Sequence, residues 1–392
     1  MLRVRIGIIA FCLLGAMACT SFKKLYNAGS VGSDYFYSEI DYYTDLELIF
    51  VPVEIGGETY RFLFDTGAPN VISKELGEKL ALKSKRSGNV SDSQGNRGRS
   101  GVIKLDTVSI GGVDFYNTSA ITADLKHAVE LACLNFDGII GANLMKLAYW
   151  KIDAKNQKLT FSSDLDTLKA GLSRPHILPF DPKNTYTPMV SLCVNDSVID
   201  NFTFDTGSGG YISLGKNLSI EPENFLAEFV GYGSTGLYGS NLDTIRYGKV
   251  KVELDSLSQI GIAEYSMSHS KKLLGMEFLS QFVQILDWEK NEITLYDDSL
   301  VTQKLGRYPV SPRWVNGALI VGSINTDSIH QSLDLSIGDT ITVLAGQNFD
   351  NVDVSRYCDL ILLSDSLRSD TLKFELLDGT SRLLPRVTLT ME

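Results

Sequence analysis

The tetrapeptide Phe-Asp-Thr-Gly occurs twice in this chain, as Phe64-Asp65-Thr66-Gly67 and as Phe204-Asp205-Thr206-Gly207, 140 residues apart. One Asp-Thr-Gly is a weak signal, because short polar-glycine tripeptides occur in ordinary turns. Two copies are different when an apolar stretch precedes each, here Arg61-Phe62-Leu63-Phe64 and Asn201-Phe202-Thr203-Phe204. They predict a duplicated unit that presents one carboxylate per half. Paired carboxylates are what a chain needs to share one proton and activate one water.

The duplication extends beyond the tetrapeptide. About 70 residues after each aspartate comes an apolar pair ending in glycine, Ile139-Ile140-Gly141 and then Leu273-Leu274-Gly275. A short amphipathic segment follows each, Ala142-Asn143-Leu144-Met145 and Met276-Glu277-Phe278-Leu279. Next come Lys151-Ile152-Asp153 and Ile285-Leu286-Asp287, closing on Lys158-Leu159-Thr160-Phe161 and Glu292-Ile293-Thr294-Leu295. Each half also opens on a predicted hairpin. Leu48 to Ile55, Gly56-Gly57 and Thr59 to Phe64 correspond to Met189 to Val194, Asn195-Asp196 and Val198 to Phe204. Landmarks matched in the same order define a repeat of roughly 115–120 residues, a period that means domain duplication and not a solenoid.

With these motifs each half resembles a retropepsin-like lobe, in which a hydrophobic-hydrophobic-Gly segment crosses beneath a hydrophobic-hydrophobic-Asp-Thr-Gly loop. The tandem is similar to a single-chain, two-lobed bacterial aspartic peptidase over about residues 45–300. The resemblance implies a mostly β fold: two tandem acid-protease β-barrel lobes at 45–163 and 187–300, joined by a linker at 164–186. It implies Asp65 and Asp205 as catalytic residues. The loops continue differently, as Ala68-Pro69-Asn70 and Ser208-Gly209-Gly210, so the lobes are not equivalent.

The residue types also make physical sense by themselves. Two aspartates meeting across a pseudo-two-fold axis cannot both ionise. One pKa is expected to rise and the other to fall, as is known for aspartic-protease dyads. The ionised member draws a proton from water, and the protonated member donates to the scissile carbonyl. Thr66 and Thr206 supply supporting hydroxyls. Gly67 and Gly207 let the chain turn tightly and aim backbone N–H groups at the carboxylates. The bland alternative is a pair of Asx-type turns between strands.

Such a cleft needs covers for substrate. Two glycine-rich stretches qualify, Ser93 to Gly101 with Gly95 and Gly98, and Gly231 to Gly239 with Tyr232, Gly233 and Tyr238. Both read as mobile hairpins able to close over an extended peptide. Gly231, Gly233 and Gly236 spell G-x-G-x-x-G, but no βαβ context surrounds them, so a dinucleotide site is not expected.

The N-terminus reads as a targeting segment at 1–18: Arg3 and Arg5, the apolar run Ile6 to Leu14, then Ala16-Met17-Ala18-Cys19. Ala-x-Ala fits ordinary cleavage after Ala18, and small residues before a cysteine fit a lipobox with Cys19 lipidated. The second reading is favoured, although position −3 is Ala. It predicts a bacterial cell-envelope protein held to a membrane only by its lipid, with residues 19–44 as tether. Without the leader, the 36 basic residues become 34 against 47 acidic, a balance of −13. That charge argues against a nucleic-acid partner. Cys133, Cys193 and Cys358 are scattered and odd in number, so no disulfide framework is evident and each is expected to be a small buried hydrophobe. The four histidines lack metal spacing, and no HExxH or GxSxG occurs, so no metal or other cofactor is expected.

A third unit occupies 305–392. Gly317 to Ile324, Ser328 to Leu335 and Ile337-Gly338-Asp339-Thr340-Ile341 resemble the strand, short helix and Gly-Asp turn of a PDZ domain. Its expected role is autonomous, with a peptide ligand adding along Ala318 to Ile324. Two functions therefore stand: an aspartic endopeptidase acting as a monomer on peptide or protein substrates, or a non-catalytic module that binds peptides in the same grooves.

Overall fold

The computed structural model describes residues 26–84, 86–92, 94–216, 225–297, 304–326, 334–363 and 370–390. The leader at 1–18, Cys19 and most of the Ser328–Leu335 segment lie outside the described residues. Strand makes up 54% of the described residues and helix 11%, so the fold is mostly β.

Each predicted hairpin forms. Leu48–Ile55 pairs antiparallel with Glu58–Asp65, and Met189–Val194 with Ser197–Phe204. Both turns need positive φ at two successive residues, the geometry that follows the right-handed twist of the strands. Gly56 and Gly57 supply it at 64° and 84°, and Asn195 and Asp196 at 46° and 59°. The crossing segments also lie where the repeat puts them. Gly138–Gly141 runs parallel to Glu58–Asp65 and antiparallel to Val71–Ser73, threading between the arms of the Asp65 loop. Leu273–Leu274 does the same between Ser197–Phe204 and Ile212–Leu214.

The halves join through one continuous sheet. At its centre Tyr149–Asp153 pairs antiparallel with Phe282–Asp287, placing Trp150 opposite Leu286 and Ile152 opposite Gln284. Outward on one side follow Lys158–Ser162 and Tyr37–Asp41, and on the other Glu292–Asp297 and Pro175–Asp181. The two outermost strands are therefore counterparts. This corrects two expectations: much of the tether (19–44) and of the interlobe linker (164–186) is built into the lobes. The physical reason is alternation. His176, Leu178 and Phe180 point into the core while Pro175, Ile177, Pro179 and Asp181 face out. Beneath this sheet Trp150 stacks on Phe161 at 4.6 Å and packs against Phe64 at 5.2 Å. The Phe that opens the first Asp-Thr-Gly is thus a core anchor, and Phe204 is equally buried.

The C-terminal unit has its own apolar core, including Trp314, Leu319, Val321, Leu344, Tyr357, Leu360 and Phe374. The Gly-Asp turn forms as expected: Gly338 has φ 99°, and the Ser336 N–H donates to the Asp339 carboxylate at 2.7 Å. The expected autonomy does not hold. Ala318–Asn325 pairs on one side with Val310–Val315, and its residues Ser323 to Asn325 pair on the other with Phe225–Tyr232 of the second lobe. The remaining stretch is engaged by the turn, with Val321 N–H donating to Asp339 and Gly338 N–H donating to Val321. The edge expected to receive a peptide is occupied by the chain's own backbone.

A covalent bond reinforces this docking. Cys133, in the helix Val129–Leu134 of the first lobe, is joined to Cys358 in the helix Val354–Leu363, across 225 residues of sequence. The expectation of three isolated cysteines is corrected: Cys193 is the free one. Closing so long a loop removes entropy from the unfolded chain and stabilises the fold by roughly 2–4 kcal/mol.

Candidate active site

The two Asp-Thr-Gly loops meet across the lobe boundary and are bonded to each other. Thr66 donates its hydroxyl to the Phe204 carbonyl at 2.5 Å and accepts the Thr206 N–H at 3.1 Å. In return, Thr206 donates to the Phe64 carbonyl at 2.8 Å and accepts the Thr66 N–H at 3.0 Å. Both threonines have no exposed surface, so every bond of this reciprocal set is shielded from water. The threonines thus lock one lobe to the other.

Above the lock the carboxylates face one another. Gly67 N–H donates to Asp65 Oδ1 at 2.7 Å, and Gly207 N–H to Asp205 Oδ1 at 2.9 Å. The glycines are needed for a reason other than the tight turn expected from sequence, since neither has positive φ. A Cβ on Gly67 would lie 2.6 Å from Asp205 Oδ1, and one on Gly207 2.3 Å from the Asp65 carboxyl carbon. Each glycine makes room for the opposite aspartate.

Electrostatically the pair is asymmetric, in a way that corrects the expectation of one raised and one lowered pKa. Burial pushes Asp65 up from the ordinary aspartate value, moderated by the Gly67 N–H, a hydrogen bond with Asp205 and the Ala68 N–H. Asp205 is raised well above that value by burial first and by the Asp65 charge second. Desolvation disfavours both anions, and the pair then shares one proton.

A buried amide pair that the sequence reading did not single out sets the Asp65 loop. Asn143 accepts the Asn70 N–H at 2.7 Å, Asn70 accepts the Gly141 N–H at 2.8 Å, and both side chains donate to the Ser119 carbonyl. The available signal was a fully amide side chain inside the otherwise apolar Ala142–Met145 segment. At the corresponding place in the second lobe the Glu277 N–H donates to the Gly210 carbonyl at 3.2 Å.

The two glycine-rich stretches meet over the cleft. Tyr238 places its hydroxyl 3.0 Å from Ser100 Oγ, and its N–H donates to Asp92 Oδ2 at 2.9 Å. Its ring lies against Gly98, where a Cβ would come within 2.2 Å. Gly95 sits at the tip of the first hairpin with φ 81°. Asp92, missed by the sequence reading, is buried and also accepts the N–H groups of Gln94 and Asn96. Tyr232 and Gly233 are placed differently from the expected cover over substrate. The Tyr232 ring packs 4.9 Å from the Arg313 guanidinium, and the Gly233 carbonyl accepts from Arg313. These two residues face the C-terminal unit.

A cavity of about 490 Å³ opens on Asp205 and Gly207 and runs along the second lobe past Tyr247, Glu264 and His269. Leu48 and Gln94 of the first lobe and Arg307 of the C-terminal unit complete its wall. Among the described residues no group of three His, Cys, Asp or Glu is arranged to hold a metal ion. A search of curated proteins finds no match to this chain. Residues 51–144, the span that carries Asp65, its supporting amides and the segment crossing beneath them, match a family model described as aspartyl protease.

Proposed function

We propose that the chain is an aspartic endopeptidase whose dyad is Asp65 and Asp205. The observation that carries this reading is the pair of Asp-Thr-Gly loops locked through Thr66 and Thr206, with facing carboxylates that share a proton. The match of residues 51–144 to the aspartyl protease family supports it. A water held between the carboxylates loses a proton to Asp65 as its oxygen attacks the scissile carbonyl carbon. Asp205 donates its proton to the carbonyl oxygen, giving a neutral gem-diol. Collapse returns one hydroxyl proton to Asp205, the Asp65 proton passes to the amide nitrogen, and the C–N bond breaks to release acid and amine. The dyad ends as it began.

This chemistry needs one proton on the pair. Activity should rise as pH climbs through the lower of the pair's two titration steps and fall as it passes the higher one. Both are raised, so the optimum should lie above the ordinary aspartate value of 3.8. Cleavage of a peptide library by residues 20–392 across acidic to neutral pH measures it. A statine-containing peptide, which mimics the gem-diol, should inhibit. Loss of activity to a chelator with indifference to that peptide would reject the mechanism.

The proposed location is the bacterial cell envelope, with Cys19 lipidated. The leader pattern and the Cys133–Cys358 disulfide, a bond favoured in oxidising compartments, support it. Mass spectrometry of the N-terminal peptide should find acylated Cys19, and Cys19→Ser should release processed protein from the membrane. An unmodified Cys19 at the mature N-terminus would remove the anchor.

A further inference from the structure

Arg313 lies on Val310–Val315 of the C-terminal unit, yet its bonds go to both protease lobes. Its guanidinium donates to the Gly233 carbonyl at 3.2 Å and to Thr235 Oγ1 at 2.9 Å, both in the second-lobe flap. It pairs with Glu130 of the first-lobe helix Val129–Leu134 at 3.0 Å and covers the face of Tyr232. The side chain is only 13% exposed, so these charge-assisted bonds are largely shielded from solvent. A planar fork with five N–H groups can serve these separate acceptors together, and a lysine ammonium cannot reproduce that geometry.

The flap bound in this way has two fixed ends. Its strand Phe225–Tyr232 is hydrogen-bonded to Ser323 to Asn325, and the Thr326 N–H donates to the Glu228 carbonyl at 2.9 Å. Its tip reaches the first-lobe flap through Tyr238, Asp92 and Ser100. Arg313 sits between them, at the point where the hairpin leaves the sheet. A second cavity of about 240 Å³ lies around Arg313, and Arg307 and Glu264 line both it and the cavity that opens on Asp205. The C-terminal unit is therefore part of the wall of the cleft.

We propose that Arg313 is a positioning residue through which the C-terminal unit holds the second-lobe flap closed over substrate. The proposal rests on the proteolytic reading of the cleft for its kinetic consequence, but the contact itself can be tested without turnover. Arg313→Ala in the full chain should speed amide hydrogen exchange across residues 229–241 by about tenfold or more, with exchange in the sheet joining the lobes unchanged. It should weaken binding of a statine-containing peptide and raise KM by about tenfold, while kcat stays within about threefold and the pH profile keeps its shape. That split marks lost binding common to ground and transition states. Arg313→Lys should recover part of both effects. If Arg313→Ala fails to fold, Thr235→Val removes one flap contact and should shift exchange and KM in the same direction by a smaller factor. Should the wild-type protein cleave no peptide, the proteolytic reading fails, and exchange at 229–241 still decides the role of Arg313. Wild-type exchange and affinity in the alanine variant would overturn the proposal. So would faster exchange spread evenly over both lobes, which marks a general structural role.

Discussion

Asp205→Asn should fold, lose cleavage by about 10³-fold or more, and be more stable than wild type at neutral pH. The loss of activity follows from removing the proton donor. The gain in stability follows from linkage. Burial and the Asp65 charge raise the folded-state pKa of Asp205 well above its unfolded value. A carboxyl raised in this way favours the fold below the unfolded value, and that contribution disappears as pH rises through the folded one. Asparagine carries no charge to bury, so its advantage should grow over that window to roughly 1–2 kcal/mol. Asp65→Asn should be equally inactive. Thermal melts of wild type and Asp205→Asn from pH 4 to 8 measure the difference. Parallel pH profiles would show that Asp205 is not strained by charge, and near-normal turnover in either variant would reject the dyad.

Replacing Thr66 by valine should cost about 2–4 kcal/mol and lower kcat by about 10–100-fold. Valine keeps the volume but removes the acceptor for the Thr206 N–H and the donor to the Phe204 carbonyl. Two buried backbone groups then lack partners, at roughly 1–3 kcal/mol each before relaxation. The kinetic loss comes from geometry, because the lock sits directly below the carboxylates and small displacements of reacting groups are expensive. Thr206→Val should behave alike, through the Thr66 N–H and the Phe64 carbonyl. The double variant should cost less than the two single losses added, by about 1–2 kcal/mol, because the first substitution already loosens the contact. Denaturant unfolding of the four proteins closes that cycle. Strict additivity would show two independent loops in place of one lock.

What was legible in the chain was whatever recurred locally. The hairpins at Gly56-Gly57 and Asn195-Asp196, the crossing glycines and the facing aspartates all carry short signals that the duplication repeats. The outer strands Tyr37–Asp41 and Pro175–Asp181 were harder to see. One is short and turns Tyr37, Glu39 and Asp41 outward, the other holds two prolines, and both are strands because of partners more than 100 residues away in sequence. Asp92 sits just before the glycine-rich stretch that looked like cover alone, and its role depends on Tyr238 from the other half. Arg313 has no local pattern at all. Its meaning comes from Gly233, Thr235 and Glu130, which only tertiary contacts bring to it. The cysteines misled by arithmetic, since one unpaired thiol made the count odd and hid a real pair.

That pair also sets an order of events during synthesis. Chains grow at about 5–20 residues per second, so Cys133 waits roughly 10–45 s for Cys358 to follow it. Cys193 arrives first, and it is the wrong partner. A chain that oxidises as it emerges is exposed to a 133–193 bond that would cross-link the two lobes before Cys358 arrives. Correct maturation therefore requires that oxidation lag behind elongation, or that an isomerase undo the early bond.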